Sequence, residues 1–218
     1  MKIYLLRHGE SEANKKREFP LDDMSVPLSE KGELQAKQAT EAVDKLGITE
    51  IYSSDQKRAS DTAKTATKNL NLPIQFDERL RELGRGERRP LSGKSFADIP
   101  KDFLDKPEKY GGEPFAEMYE RTREATTEVF GQADDDANIL LVGHGGQQCM
   151  IIYCLLEDPN KPFDEKLFKE KYFRDRSNAS ITMMDMDEYK PEFKHLTTPT
   201  MIYGEDRGPI TTVANTKK

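Results

Sequence analysis

No tryptophan occurs among the 218 residues, and there are only two cysteines and three histidines. Each scarcity excludes something. Cys149 and Cys154 stand five apart in a stretch that reads as helix, a poor geometry for a disulfide. Ligand-type residues do not neighbour them, so they make no metal site and read as small core residues. No apolar run approaches the roughly 18 residues of a membrane span. The run at 3–6 is too short for a secretory leader, and Arg7 ends it. Positive charge is not in excess either: 34 Lys and Arg against 40 Asp and Glu leave a net charge of −6. The global basic field of a nucleic-acid binder is therefore missing. A soluble, cytoplasmic protein with no nucleic acid and no membrane among its partners is expected. Nothing bears on oligomeric state, and no internal repeat or low-complexity tract stands out.

What is there alternates. Short apolar runs at 2–6 (KIYLL), 50–53 (EIYS) and 138–142 (NILLV) each lead into a helical pattern, over 10–17, from about Asp55, and over 147–156. Such alternation predicts βα units and a mainly parallel sheet covered on both faces, a three-layer α/β/α sandwich. Two further helices are expected, over 29–46 with Ser29 as cap and Gly47 as stop, and over 113–131. "SITMMDMD" at 180–187 alternates as a strand would, with a partner expected around 192–197, and the last dozen residues read as frayed. The chain reads as one domain, 1–218. Residues 84–112, with eight Gly or Pro and little periodicity, read as a cap-like excursion over a site.

Ligands of an open parallel sheet bind outside the carboxyl ends of its strands. All three strand ends here carry groups suited to an anion: Arg7-His8-Gly9, Ser53-Ser54 with Arg58 one turn on, and Gly143-His144-Gly145. Helices start just beyond, so free backbone N–H groups are expected to face the same point. Two guanidiniums, two imidazoles and helix N-termini make a phosphate-sized site with no need of a metal or a cofactor. Taken singly, a histidine after a strand is most often held by a backbone hydrogen bond, and Arg58 alone reads as half of an ion pair. Two histidines in matched settings beside glycine, which lets a ligand approach the backbone, outweigh those readings. His195 has no such setting and reads as surface.

"RHGESEAN" at 7–14 resembles the signature of the histidine phosphatase superfamily, phosphoglycerate-mutase-like branch. "VPLSEKGELQAKQA" at 26–39, "IYSSDQKRASDTA" at 51–63, "LREL" at 80–83, "GGEPFAEMYERT" at 111–122, "LLVGHGG" at 140–146 and "SNASIT" at 177–182 agree with it in order. The resemblance implies His8 as a nucleophile that becomes phosphorylated. Arg7, Arg58, His144 and Gly145 would then bind the phosphoryl group, with Asn14 as a further contact. Glu82 matches the general acid, although the aromatic of the "GxW" that usually follows is absent. Phosphoryl transfer is mostly positioning plus stabilisation of charge on the equatorial oxygens, which arginines supply. Imidazole attacks only when neutral, and neighbouring arginines lower its pKa.

A metal-independent phosphatase acting on a small phosphomonoester or a phosphopeptide is therefore expected. A phosphoglycerate mutase shares the nucleophile, but "GRGERRPLSGKSFADIPKDF" at 84–103 does not match the segment that grips phosphoglycerate. A non-catalytic binding module on the same fold should have lost a core residue, and none is lost. "GKS" at 93–95 is no Walker A loop, since Arg88 stands where glycine is required. Arg79, Arg81, Arg85, Arg88, Arg89 and Lys94 form a basic stretch that reads either as ion-paired loop or as a rim attracting anionic substrates.

Overall fold

Runs such as Ile3–Leu6 and Ile139–Val142, apolar at every position, can satisfy both faces of a strand only in the middle of a covered sheet. The computed structural model puts them there. It describes residues 1–20, 23–84, 93–103, 105–174 and 176–186, together with the strand segments 189–190, 193–194 and 200–203. Strands β1 (Lys2–Arg7), β2 (Glu50–Ser53), β3 (Ile74–Phe76), β4 (Asn138–Gly143) and β5 (Ile181–Asp185) are joined, after the short strands β6 (Tyr189–Lys190) and β7 (Phe193–Lys194), by β8 (Thr200–Tyr203). The sheet runs β3-β2-β4-β1-β5-β8. Its first four strands are mutually parallel, and β5 is antiparallel to β1 and to β8.

The two-residue period of the strands divides the core. Ile3, Leu5, Ile139 and Leu141 face one way, toward α4 (Phe115–Gln132) and α5 (Gly145–Leu156). Tyr4, Leu6, Leu140 and Val142 face the other way, toward α2 (Glu30–Val43) and α3 (Lys57–Ala66). A short helix α1 (Glu12–Lys16) follows β1, capped by Ser11. Helices α2 and α3 meet through Ala39, Val43, Ala63 and Ala66, all with no exposed surface. Small side chains there let the helices lie close to each other and to the sheet. The three-layer α/β/α arrangement expected from the sequence is thus present. Cys149 and Cys154 are free thiols buried in α5. Among the described residues no helix is long and apolar enough to cross a membrane.

Two expectations need correction. β3 went unread because only Ile74 of its three residues is even half-buried, so it carries no apolar signature. The strand expected around 192–197 as the partner of β5 is β7, which pairs instead with β6 in a separate ribbon, while β8 lies beside β5. Alternation identifies a strand but says nothing of its neighbour. Of the excursion, residues 93–103 and 105–112 are described. Phe19 N–H donates to Lys94 O at 3.0 Å and Gly93 N–H donates to Phe19 O at 2.8 Å. Phe103 packs edge-on against Phe19 and beside Tyr110. His195, Arg85, Arg88, Arg89 and the last dozen residues lie outside the described residues.

Candidate active site

Strand register assembles the site. Arg7 pairs with Gly143 at the last rung of β1 and β4, so His8 and His144, one residue on, leave the sheet side by side. Their ring centroids are 5.1 Å apart. Ser53 pairs with Val142 in β4, which brings Ser54 beside them, and Ser54 Oγ lies 2.9 Å from His144 Nε2. Arg58 follows in the first turn of α3.

The His8 ring is almost wholly buried, and its Nδ1 lies 2.6 Å from the Gly9 carbonyl oxygen. A carbonyl only accepts, so Nδ1 carries the hydrogen and Nε2 keeps the lone pair. Burial, then the positive charges of Arg58 and Arg7, hold the His8 pKa well below the ordinary imidazole value of 6.5. The arginines act as the sequence suggested, but desolvation is the larger cause. His144 is depressed for the same leading reasons, burial first and Arg58 next. Both imidazoles are neutral at pH 7.

A cavity of about 180 Å³ opens onto His8. Arg7, Asn14, Arg58 and Glu82 line it with His8, as do Ser11, Ala13, Glu18, Pro20, Asp23 and Val26. Arg58 is buried, donating from Nη1 to the Asp23 carbonyl at 2.8 Å and from Nη2 to Gln56 Oε1 at 3.2 Å. Its Nη1 is also 3.2 Å from the Asp23 carboxylate. Arg7 donates from Nη1 to the Arg176 carbonyl. Asn14 Oδ1 accepts from Ser11 N–H and Oγ, at 3.2 and 3.0 Å, and from Asn178 Nδ2 at 3.4 Å. Asn178 Nδ2 donates to the His8 carbonyl as well, at 3.1 Å. This couples Asn14 to the backbone of the histidine.

Glu82 reaches the cavity from the loop after β3. Its carboxylate accepts the N–H groups of Gly146 and Gln147, at 3.2 and 3.1 Å, in the first turn of α5. A Cβ on Gly146 would meet Glu82 Oε1 at 2.6 Å, so that contact requires glycine. The expectation of free helix N-termini aimed at the anion needs correction here. Glu82 takes the Gly146 and Gln147 N–H groups of α5, and Lys57 N–H of α3 donates to Met24 O. The guanidiniums of Arg7 and Arg58, which line the cavity, can hold an anion.

Of the seven residues named from sequence, His8, Arg7, Asn14, Arg58 and Glu82 line the cavity. His144 and Gly145 stand behind it, Gly145 against the Arg7 guanidinium. Gly9 serves packing: a Cβ there would sit 2.4 Å from Gly32 O in α2. Arg79 and Arg81 belong to ion pairs, with Asp77 and Glu128 and with Asp55 and Glu78, so these two follow the ion-paired reading of the basic stretch. Sequence reasoning did not single out Asp23, Gln56, Asn178 or the Arg121–Glu113 pair. Asp23 had no signal, whereas Gln56, Asn178 and the Arg121–Glu113 pair stand inside the matched stretches 51–63, 177–182 and 111–122.

Comparisons with known proteins bear on the family and the fold. A probable phosphoglycerate mutase, GpmB, of Salmonella paratyphi B is 31% identical over 205 residues, covering 86% of each chain. A mycobacterial glucosyl-3-phosphoglycerate phosphatase, solved as its VO3 complex, superposes with a TM-score of 0.69 at 26% identity, covering 84% of this chain and 92% of that one. A phosphoserine phosphatase of Entamoeba histolytica shares the fold at 20% identity and a TM-score of 0.69, over 91% and 95% of the two chains. The model of the histidine phosphatase superfamily (branch 1) matches residues 3–199, and the chain belongs to that family.

Proposed function

We propose that this protein hydrolyses phosphomonoesters through a phosphohistidine on His8. One observation carries the reading: a neutral, buried imidazole, its Nδ1–H tied to a carbonyl, borders a phosphate-sized cavity between two guanidiniums. His8 Nε2 attacks phosphorus while Arg7 and Arg58, with His144 behind them, neutralise the equatorial oxygens. The ester P–O bond breaks, and Glu82 in its protonated form gives its proton to the departing alkoxide. Water then attacks the phosphohistidine, the Glu82 carboxylate takes a proton from it, and inorganic phosphate leaves. Two free thiols suit a cytoplasmic enzyme. Described residues of 93–112 are held against Phe19, whose neighbours Glu18 and Pro20 line the cavity.

Mutase activity is a second reading, supported by the name of the Salmonella relative. A mutase must also grip the carboxylate of phosphoglycerate. Among the described residues the cavity's only cations are Arg7 and Arg58, and its lining also includes the carboxylates of Glu18 and Asp23. That favours hydrolysis of esters without a second anion. The test is a base quench during turnover, which should trap phosphate on His8 in a form labile to acid and stable to base. His8→Ala should lower kcat at least 10³-fold, on the order expected for a lost covalent nucleophile, and EDTA should leave the wild type unaffected. A folded His8→Ala variant that keeps substantial turnover would refute the reading. Isomerisation of 3-phosphoglycerate outpacing phosphate release would establish the mutase.

A further inference from the structure

In its described residues, 77–84, the loop that carries Glu82 has no regular structure beyond a single 3-10 turn, Glu78–Leu80. Its carbonyls nonetheless converge on one side chain. Arg121, in the second turn of α4, donates from Nη1 to the carbonyl oxygens of Arg79 and Arg81 at 2.6 and 2.9 Å. From Nη2 it donates to the carbonyl of Glu82 at 3.2 Å and to Glu113 Oε2 at 2.8 Å. Its Nε donates to Glu113 Oε1 at 2.5 Å. A guanidinium has five N–H donors in a fixed plane, and each has an acceptor here. Glu113 completes the clamp: its Oε2 accepts Gly84 N–H at 2.7 Å, and its own N–H donates to Gly84 O at 2.6 Å. On the opposite side, Glu82 N–H donates to Gln56 Oε1 at 3.1 Å.

We propose that Arg121 is a positioning residue of the reaction, holding the Glu82 backbone so that its carboxyl stays on the cavity wall. The inference rests on the reading of Glu82 as general acid. The base of the clamp is rigid, because α4 buries Phe115, Met118, Tyr119 and Thr122 around Arg121. Arg121 does not line the cavity and does not touch the phosphoryl site. Its hydrogen bonds therefore act through the loop, while its charge, which a lysine would retain, also bears on His144. A lysine at 121 would keep the charge but offer at most three donors from one point, and could not span three carbonyls and a carboxylate.

The experiment compares kcat/KM for an aryl phosphate, whose leaving group departs with little protonation, and for an alkyl phosphate, which needs the acid. Variants are Arg121→Lys, Glu113→Gln, Glu82→Gln and the double variant Arg121→Lys/Glu82→Gln. Inorganic phosphate affinity and the thermal melt are measured alongside. Arg121→Lys should keep phosphate affinity and aryl turnover within about twofold while losing roughly 10- to 100-fold on the alkyl ester, the scale of a misplaced catalytic group. The double variant should be no worse on the alkyl ester than Glu82→Gln alone. Glu113→Gln, which leaves the arginine in place, should show a smaller loss of the same selectivity, and it decides the matter if Arg121→Lys does not fold.

Wild-type behaviour of Arg121→Lys on both esters would overturn the inference, because charge alone would then suffice. Equal losses on both esters would also overturn it, by reducing the clamp to a stability element. If Glu82→Gln itself lacks leaving-group selectivity, the assignment of the acid falls first. That outcome is visible in a variant whose Arg121 is intact.

Discussion

Gly32→Ala should destabilise this protein, although helix propensity by itself favours alanine over glycine by about 1 kcal/mol. Gly32 is the third residue of α2, and its N–H donates to the capping Ser29 Oγ at 3.1 Å. An alanine Cβ there would lie 1.9 Å from the Glu10 carbonyl oxygen and 2.8 Å from its carbon. Neither side can yield easily. Glu10 N–H is bonded to Gln35 Oε1 at 2.7 Å, and Gly9 N–H to Thr62 Oγ1 at 3.1 Å. An ordinary contact, at 3.4 Å or more, requires the two backbones to separate by about 1.5 Å. Overpacking of this kind costs about 1–3 kcal/mol, occasionally more. With backbone on both sides the upper end applies, and after the propensity gain about 2 kcal/mol of destabilisation remains. In a chain of this size that lowers Tm by about 4–8 °C. The displaced segment carries His8, so kcat/KM should fall about tenfold or more. Thermal melts by circular dichroism and initial rates on an aryl phosphate read both effects. A Tm at or above that of the wild type would refute the reasoning.

The depressed histidines give a second prediction. In the free protein, the ring resonances of His8 and His144 should titrate with midpoints below the ordinary imidazole value of 6.5, and a midpoint at or above 6.5 for either would contradict their desolvation. Because the unfolded chain binds these protons first, their contribution to stability is complete above about pH 6.5 and declines as pH falls toward the folded-state pKa values, which Tm measured from pH 7.5 to 5 should follow. A third concerns Asp23, whose carboxylate sits on the buried Arg58 and also accepts Gln56 Nε2 at 2.8 Å. Asp23→Ala should destabilise the free protein by about 1–3 kcal/mol, less than a fully enclosed pair because the cavity admits solvent. Saturating inorganic phosphate should restore most of the loss; a melt that phosphate does not rescue would mean that Asp23 does not stand in for the anion's charge on Arg58.

The motifs were readable because their chemistry is local. A strand needs its apolar run, a phosphoryl site at a strand end needs its arginine and histidine, and the two stand next to each other in "IYLLRHGE" and "ILLVGHGG". The layer arrangement followed from period alone, since a strand apolar on both faces demands helices on both. Glu82 was readable only through the family pattern: the loop around it has no periodicity, and a carboxylate among so many others carries no mark of its own. The clamp was less readable still. Arg121 and Glu113 lie eight apart, and Glu82 lies 39 residues from Arg121, so nothing in the chain shows that their hydrogen bonds meet.

By itself, then, the sequence determined the sandwich, the family, and the histidine and two arginines that the proposed mechanism uses. Tertiary structure alone decided where backbone donors go, and Glu82 and Met24 take N–H groups of Gly146, Gln147 and Lys57 that the helix starts seemed to offer. It also decided why glycine stands at 9, where α2 rather than a ligand presses on the backbone. The physical reason is the same in both cases. Spacing along a chain reports which face a side chain is on, whereas desolvation, backbone contact and hydrogen-bond partners depend on segments that are far apart in sequence and meet only on folding.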